Sequence, residues 1–411
     1  MKKFLVLLLV LALVISSFAG CAKSGDAVST DAKSLKIGLV GPWTGASAQN
    51  GVSMKRGVEL AVQDINAAGG AKGYQLELVA YDDQSIPEES VNAVTKLVSQ
   101  DNVLAIVGAF NSACTLADME VTNREKVPQI TPISMSDDVN KNDDFMFRNT
   151  LGATQAGEVF DALAGPGKMV LTDGTNSNKV AILWENDDWG KGMSDAVMLT
   201  AEKLGQTDKF VANVPYNPGT TDFYPILTPL LEKNPDMIYC VSLATEAIQI
   251  VKQARELGYK GLFLGEGGFN AQEFDTSLGE LAYGALFSTQ WHSSFQFPLS
   301  KQFYASFKAA YPDSEPDMFS AISYEAVYIV KDSIERATDT PEDISTWRIA
   351  LRDAMAQTKD LAGVCGPVTF DNVGQSKGLI YVLQKTADGP VIVLPKDVAG
   401  GEIRRDLLPK K

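Results

Sequence analysis

The sequence predicts an α/β protein with two doubly wound parallel-sheet lobes, each sheet covered by helices on both faces. Short, continuously apolar segments alternate with segments whose apolar residues recur at helical spacing, which is typical of parallel strands joined by helices. The alternation starts near Ser34 and begins again near Lys179. A chain of 411 residues is long enough for two such units.

In the first half, the predicted strands are LKIGLVG, YQLELVAYDD, VLAIVG and VPQITP. The intervening helices are predicted at residues 52–68, 88–99 and 113–122. Val58, Ala61 and Ile65 share one face of the first helix, and Gly69 follows it as a helix-ending signal. Pro87 precedes the second helix, as expected of proline at a first helical position.

In the second half, the predicted strands are KVAILWEND, FVANVPY, DMIYCVS and GLFLGE. The helices between them are predicted at residues 192–204, 223–233 and 246–257. Gly205 and Gly258 follow the first and last of these helices as C-terminal signals. The strand LFSTQW then begins a return segment with helices at 300–310, 319–337 and 344–357, and CGPVTFD and LIYVLQK close the chain as β structure.

Residues 1–21 are predicted to be an export signal rather than part of the fold. Lys2 and Lys3 precede an apolar segment, residues 4–15, that is short for a bilayer span. The following SFAGC resembles a bacterial lipoprotein signal and lipobox, with Cys21 as the lipidated residue. An ordinary secretory signal cleaved nearby is the alternative. Residues 22–34 are small and polar, as expected of a tether, so we expect an extracytoplasmic protein anchored to a bacterial membrane.

The composition argues against several functional classes. A formal net charge of -15 disfavours nucleic acid as a partner. The sequence has a single histidine, His292, and no GxSxG nucleophile motif with which it could form a catalytic triad. We therefore interpret His292 as structural or pocket-lining. Cys114, Cys240 and Cys365 match no zinc spacing, and Cys240 is expected to be a buried apolar residue. We therefore expect neither an enzyme nor a metal or cofactor, and we interpret the acidic pairs in YDDQ and ENDD as structural.

The segment VGAFNSACT, residues 107–115, is the first candidate for ligand binding. Here a predicted strand ends and a helix begins beside Ser112 and Thr115. In open α/β sheets, ligands bind beyond the carboxyl ends of the strands, and the free N–H groups of a helix start favour an anion. Simple helix capping by the serine is the alternative. Neither a GxGxxG fingerprint nor a P-loop occurs at these turns.

Nine segments, in order, together resemble the leucine/isoleucine/valine-binding protein family, the type I periplasmic binding proteins of ABC importers. They are KIGLVGPWTG, GVELAVQDINAAGG, LELVAYDDQSIPEESVNAVTKLV, IVGAFNSACT, ITP, FRNT, ENDDWGKG, VKQARELG and GPVTFD. The resemblance implies two lobes joined by a three-crossover hinge that close on a ligand. The implied crossovers lie near Gly152, Thr289 and Gly378, so lobe 1 comprises residues 35–152 and 290–378, and lobe 2 comprises 153–289 and 379–411.

The resemblance also implies a set of ligand contacts. Ser112 matches a serine that holds the ligand carboxylate with its hydroxyl and N–H. Met135 matches a threonine of a second carboxylate loop, where Ser134 or Ser136 can supply the missing hydroxyl. Trp189 stands where members commonly carry tyrosine, and packing at a helix start is its alternative role.

Other positions depart from the family pattern. Gly267 stands where many members place an acidic partner for the ligand ammonium group. Glu266 is adjacent and stays a candidate, although neighbours on an extended segment point in opposite directions. Leu243 replaces a tyrosine and Asn50 an aromatic residue. Two first-lobe loop residues, Trp43 and Phe110, are expected to add aromatic walls.

The sequence therefore predicts a monomeric solute-binding lipoprotein that delivers a small carboxylate-bearing ligand, such as an amino acid, to an ABC permease. An aromatic or other organic acid, or an amide, fits the departures equally well. A sensory receptor subunit that binds the same ligands is a further alternative. Because a buried cation without a partner is costly, we expect leucine, isoleucine and valine to bind more weakly than some bulkier or non-amino acid.

Overall fold

The structure is a computed structural model that describes residues 33–142, 144–155, 157, 179–337, 343–378, 380–395, 401–404 and 406–408. The predicted signal with Cys21, most of the predicted tether, and residue 379 beside the third predicted crossover lie outside the described residues. Within these ranges, no helix combines the length and the apolar character that a bilayer span requires.

The first sheet consists of β1 (Ser34–Gly41), β2 (Gln75–Asp82), β3 (Ala105–Val107), β4 (Gln129–Thr131) and β5 (Met146–Arg148). These strands pair in parallel in the order β2-β1-β3-β4-β5. Successive side chains of β1 enter two different cores: Ile37 and Leu39 face one, and Val40 faces the other. The sheet therefore needs helices on both faces, which explains why its strands are apolar throughout.

The helices of the described residues lie between and after these strands. They are α1 (Ala48–Ala67), α2 (Pro87–Ser99), α3 (Ser112–Arg124), α4 (Asp188–Lys203), α5 (Tyr224–Leu231), α6 (Ala244–Glu256), α7 (Gln272–Leu278), α8 (Pro298–Ala310), α9 (Met318–Arg336) and α10 (Ile344–Ala356). Helices α2 and α3 contribute to the core on one face of the first sheet, whereas α1 and α9 pack on the other.

The second sheet consists of β6 (Val180–Glu185), β7 (Phe210–Tyr216), β8 (Met237–Ser242), β9 (Leu262–Gly267), β10 (Leu286–Thr289), β13 (Tyr381–Gln384) and β14 (Val391–Leu394). Its order is β14-β13-β10-β9-β8-β6-β7, and all pairs are parallel except the two that β13 makes with β10 and β14. Helix α4 packs on one face, and α5, α6 and α7 contribute to the core on the other. Two short strands, β11 (Leu361–Ala362) and β12 (Pro367–Val368), pair separately.

The chain passes three times between the two sheets in the described part. It leaves the first sheet after β5, returns from β10 to α8, and enters the second sheet again before β13. Helix α9 packs along α1, and at Gly57 a Cβ atom would lie 2.1 Å from the carbonyl oxygen of Ser320. The two helices therefore meet closely because position 57 carries no side chain. The lobe boundaries inferred from the resemblance stay predictions.

The predicted fold class is confirmed, but four elements were missed and several boundaries differ. The strands β5, β11 and β14 and the helix α7 were not predicted. Helix α1 begins four residues earlier than predicted, because its first turn carries polar Gln49 and Asn50 rather than an apolar repeat. Helix α4 also begins four residues early, where Asp187 accepts a hydrogen bond from the Gly190 N–H at 2.7 Å.

Candidate functional site

A cleft lies at the carboxyl ends of strands from both sheets. It holds about 620 Å³ of space not occupied by protein atoms, part of it open to solvent. Its lining residues are Phe110, Asn111, Ser112, Ile133, Met135, Thr150, Leu151, Trp189, Leu243, Glu266, Gly267, Ser288, Thr289, Gln290, Met318, Phe319 and Ile380. Six predicted ligand contacts are among them: Phe110, Ser112, Met135, Trp189, Leu243 and Glu266. Their roles in binding stay predictions.

On the first-sheet side, Ser112 is the first residue of α3. The residue before the helix, Asn111, makes no side-chain cap, and the Ser112 hydroxyl instead accepts a hydrogen bond from the Ser136 N–H at 3.2 Å. Simple capping by Ser112 is therefore not its role here. Because Ser112 Oγ is already an acceptor, its own proton is available to a cleft ligand. The start of α3 adds partial positive charge, so this wall favours an anion.

The loop that follows β4 contributes Ile133 and Met135 to the cleft, but not Ser134. The Ser134 hydroxyl is buried, contacts Thr115 Oγ1 and donates to the Phe110 carbonyl at 3.3 Å. The expectation that Ser134 replaces a missing ligand hydroxyl is therefore not supported. Ser136 acts through its backbone N–H, which holds Ser112.

Trp43 and Asn50 also lie outside the lining. The Trp43 N–H donates to Asp82 Oδ1 at 3.0 Å, and the Lys55 Nζ lies 4.7 Å from the Trp43 ring centroid. Asn50 is buried in the first turns of α1. Trp43 was predicted from a loop at a strand end and Asn50 from its place in the family pattern, but neither side chain reaches the cleft lining.

On the second-sheet side, Trp189 in the first turn of α4 contacts the backbone of Gly267. A Cβ atom at position 267 would lie 2.7 Å from Trp189 Cη2, and Gly267 has a φ of 54°. The indole thus occupies space that any other residue at 267 would need. The indole of Trp189 therefore occupies the place where an acidic partner for the ligand ammonium group was expected. Leu243 lines the same side of the cleft.

Glu266 is the only ionisable side chain among the described residues that line the cleft. Burial raises its pKa to about 7, although hydrogen bonds from Ser288 and Tyr239 partly oppose the rise. The Tyr239 hydroxyl lies 3.3 Å from Glu266 Oε1, and Ser288 Oγ donates to Oε2. Both oxygens thus have protein partners, which holds the carboxyl group in place.

Three acidic residues lie near Trp189 and Leu243: the buried Glu185 and Glu246, and the half-buried Asp187. Burial raises the pKa of Glu185 to about 8 and that of Asp187 to about 6, with smaller contributions from nearby carboxylates that include Glu246. The Leu243 N–H donates to Glu185, and Asp187 caps the helix that carries Trp189. The acidic group therefore supports the second-sheet wall of the cleft.

Sequence reasoning missed residues that the return segment and the crossovers bring to the cleft. Met318 and Phe319 begin α9, and the Phe319 and Phe110 ring centroids lie 5.5 Å apart. Gln290 accepts from the Leu151 N–H at 2.8 Å and donates to Thr150 Oγ1 at 2.9 Å. The predicted crossovers near Gly152 and Thr289 were the one signal for these last residues.

The remaining sequence candidates have structural roles. His292 lies outside the cleft lining, and its Nδ1 is 2.8 Å from Ser294 Oγ. Cys240 is fully buried, and Cys114, Cys240 and Cys365 are free thiols. In the part of the chain that the structure describes, no three His, Cys, Asp or Glu residues are grouped to hold a metal ion.

Comparison with known proteins identifies the family. A family model described as periplasmic binding protein matches residues 34–390. The chain belongs to this family. Membership confirms the resemblance to leucine/isoleucine/valine-binding proteins and implies a location outside the cytoplasm.

Individual relatives agree with this assignment. The chain is 30% identical over 383 residues to an amino acid binding protein of Pseudomonas aeruginosa, covering 92% of this chain and 96% of that one. It is similar to the branched-chain amino acid transporter substrate binding protein of Streptococcus pneumoniae in complex with isoleucine, with a TM-score of 0.77, 28% identity, and coverage of 87% and 98%. For a leucine binding protein of Thermotoga maritima, the TM-score is 0.78 and the identity is 26%. The match covers 89% of this chain and 100% of that one. These relatives are binding proteins rather than enzymes.

Proposed function

We propose that this protein captures a small carboxylate-bearing solute between its two lobes and delivers it to an ABC permease. The observation that carries the proposal is the Ser112 hydroxyl at the start of α3, in a cleft whose other surfaces are mainly apolar. A helix start and a hydroxyl together bind a carboxylate, whereas the apolar walls bind the rest of the ligand. The protein acts by binding, without catalysis or a cofactor, and as a monomer.

The cleft supports two ligand classes. Names of the relatives favour an amino acid. The contact between Trp189 and Gly267 instead favours a ligand whose second end is apolar or aromatic, because the ring fills the end wall. We therefore propose an apolar organic acid as the better ligand, with branched-chain amino acids bound more weakly.

Calorimetry with a fixed panel tests this proposal. The panel contains L-leucine, L-isoleucine, 4-methylpentanoate and 3-phenylpropanoate, each beside its amide, and mass spectrometry of co-purified small molecules extends it. We expect at least one carboxylate to bind with a micromolar or lower Kd. Nanomolar binding of leucine would contradict the proposed preference, and the absence of any carboxylate ligand would contradict the proposed function.

We further propose that Cys21 carries the lipid that anchors the protein to a bacterial membrane. Buried acyl chains contribute about 0.8 kcal/mol per CH₂, and two or more chains anchor stably whereas one does not. Cys21→Ala should therefore move the protein from the membrane fraction to the soluble fraction, as measured by fractionation and immunoblotting. Cys365→Ala is the matched control and should leave the distribution unchanged. A Cys21→Ala protein that stays in the membrane fraction would contradict lipid anchoring.

A further inference from the structure

Arg148, at the end of β5, is buried with its side chain only 3% exposed. Burial lowers its pKa to about 10, so it is charged at neutral pH. Among the described residues, the carboxylate that lies within ion-pair distance is Asp137, at 3.9 Å from Nη2, and Asp137 is 42% exposed. Asp371 acts on Arg148 only from a greater distance. The buried charge is therefore incompletely neutralised by the protein itself.

The guanidinium group holds the loop behind the first-sheet wall of the cleft. Its Nη1 donates to the carbonyl oxygens of Ser136 at 2.6 Å and Ser134 at 3.3 Å, and its Nε donates to Gln375 Oε1. The two carbonyl groups stand on either side of Met135, which lines the cleft. Arg148 thus fixes the backbone of this loop from behind.

The same loop connects Arg148 to Ser112. The carbonyl of Ser136 accepts from Arg148, and the N–H of Ser136 donates to Ser112 Oγ at 3.2 Å. Because Ser112 Oγ is the acceptor in this bond, the Ser112 proton stays available to a ligand in the cleft that Ser112 lines. Ser136 is therefore the single residue that connects the guanidinium group of Arg148 to the Ser112 hydroxyl.

We propose that Arg148 is the positioning residue and the buried countercharge of the carboxylate subsite. It orients the Ser112 hydroxyl through Ser136, and its positive charge attracts the ligand carboxylate, which completes its neutralisation. This inference rests on the proposed function, because it requires a carboxylate ligand at Ser112. Asp137, on the same loop, competes with the ligand for the same charge.

Three variants test the inference, and two of them have opposite expected effects. Arg148→Met should lower the affinity for a carboxylate by about tenfold or more, because attraction across a low-dielectric interior is lost. Arg148→Lys, which keeps the charge, should recover part of this affinity. Asp137→Asn should raise carboxylate affinity by about two- to fivefold, because it removes the competing negative charge. The asparagine oxygen can still accept the hydrogen bonds that Thr154 donates to Asp137 Oδ2.

The probe is the tightest wild-type binder among L-leucine, 4-methylpentanoate and 3-phenylpropanoate, and its amide, which lacks the carboxylate charge, is the control. Affinities come from calorimetry and from intrinsic tryptophan fluorescence. We expect Arg148→Met to weaken amide binding clearly less than acid binding, because the amide loses only the orientation of Ser112 and no charge attraction. A purely structural role would weaken acid and amide equally, and it would make Asp137→Asn weaken binding.

The outcomes separate this inference from the proposed function. If no carboxylate binds the wild type with a Kd below about 1 mM, the proposed function fails and the inference fails with it. If a carboxylate binds and Asp137→Asn does not tighten it, the countercharge is refuted while the proposed function stands. Circular dichroism establishes that each variant is folded. Asp137→Asn changes a partly exposed side chain, so it decides the question even if Arg148→Met does not fold.

Discussion

Ser112→Ala should weaken binding of a carboxylate ligand by ten- to a hundredfold. Ser112 begins α3 and lines the cleft, and its hydroxyl already accepts from the Ser136 N–H. A hydrogen bond to a charged group contributes about 1.5–3 kcal/mol, which corresponds to this loss of affinity. Calorimetry with the tightest carboxylate of the panel measures the effect directly.

The matched control is Ser136→Ala, which removes a neighbouring hydroxyl but keeps the N–H that holds Ser112. We expect its affinity to stay within about threefold of the wild type, because no cleft contact is lost. Ser112→Ala should also lower the free energy of unfolding by about 1–3 kcal/mol, because the buried Ser136 N–H loses its acceptor. Wild-type affinity in a folded Ser112→Ala protein would refute the carboxylate anchor.

Glu185→Gln should make the protein more stable than the wild type at pH 8. Burial raises the pKa of Glu185 from an ordinary value of 4.5 to about 8. Between these values, the folded state binds more protons than the unfolded state, so the free energy of unfolding falls as the pH rises. The loss is complete above about pH 8 and amounts to a few kcal/mol. Glutamine is neutral at every pH, so the variant does not undergo this loss in the free energy of unfolding.

Urea unfolding at pH 5, 6, 7 and 8 measures this difference. The free energies of unfolding of the variant and the wild type should be similar near pH 5 and should diverge steadily toward pH 8. Asp187 and Glu266 also have raised pKa values, so the variant keeps part of the slope. Glu232→Gln, at an exposed carboxylate, is the control and should follow the wild type. Parallel curves for Glu185→Gln and the wild type would contradict the prediction.

The sequence was sufficient for the architecture because the signals for strands and helices are local. The alternation of apolar and amphipathic segments predicted both sheets, and an abrupt strand end pointed to Ser112. The missed elements carry weak local signals: β5 has three residues, and α7 has seven. β5 depends on its pairing with β4, and α7 depends on its packing beside α6. Neither contact can be read from the sequence of the short segment itself.

The cleft was only partly predictable, because its walls are assembled from distant parts of the chain. Phe319 reaches Phe110 only because α9 returns to the first sheet. Trp189 was predicted from its match to an aromatic position of the family, but its contact with Gly267 depends on how α4 and β9 approach one another. Ser134 was predicted from its position in a loop, and the loop's backbone turns its hydroxyl inward.

The close contact of α9 with α1 at Gly57 has a consequence for the biogenesis of the protein. The first sheet ends at residue 148, yet α9, which covers one of its faces, starts about 170 residues later. A nascent chain therefore cannot complete its first lobe until most of its length has been synthesised, and such long-range contacts slow folding. If residues 1–21 act as the proposed export signal, they act on a chain whose first lobe is still incomplete.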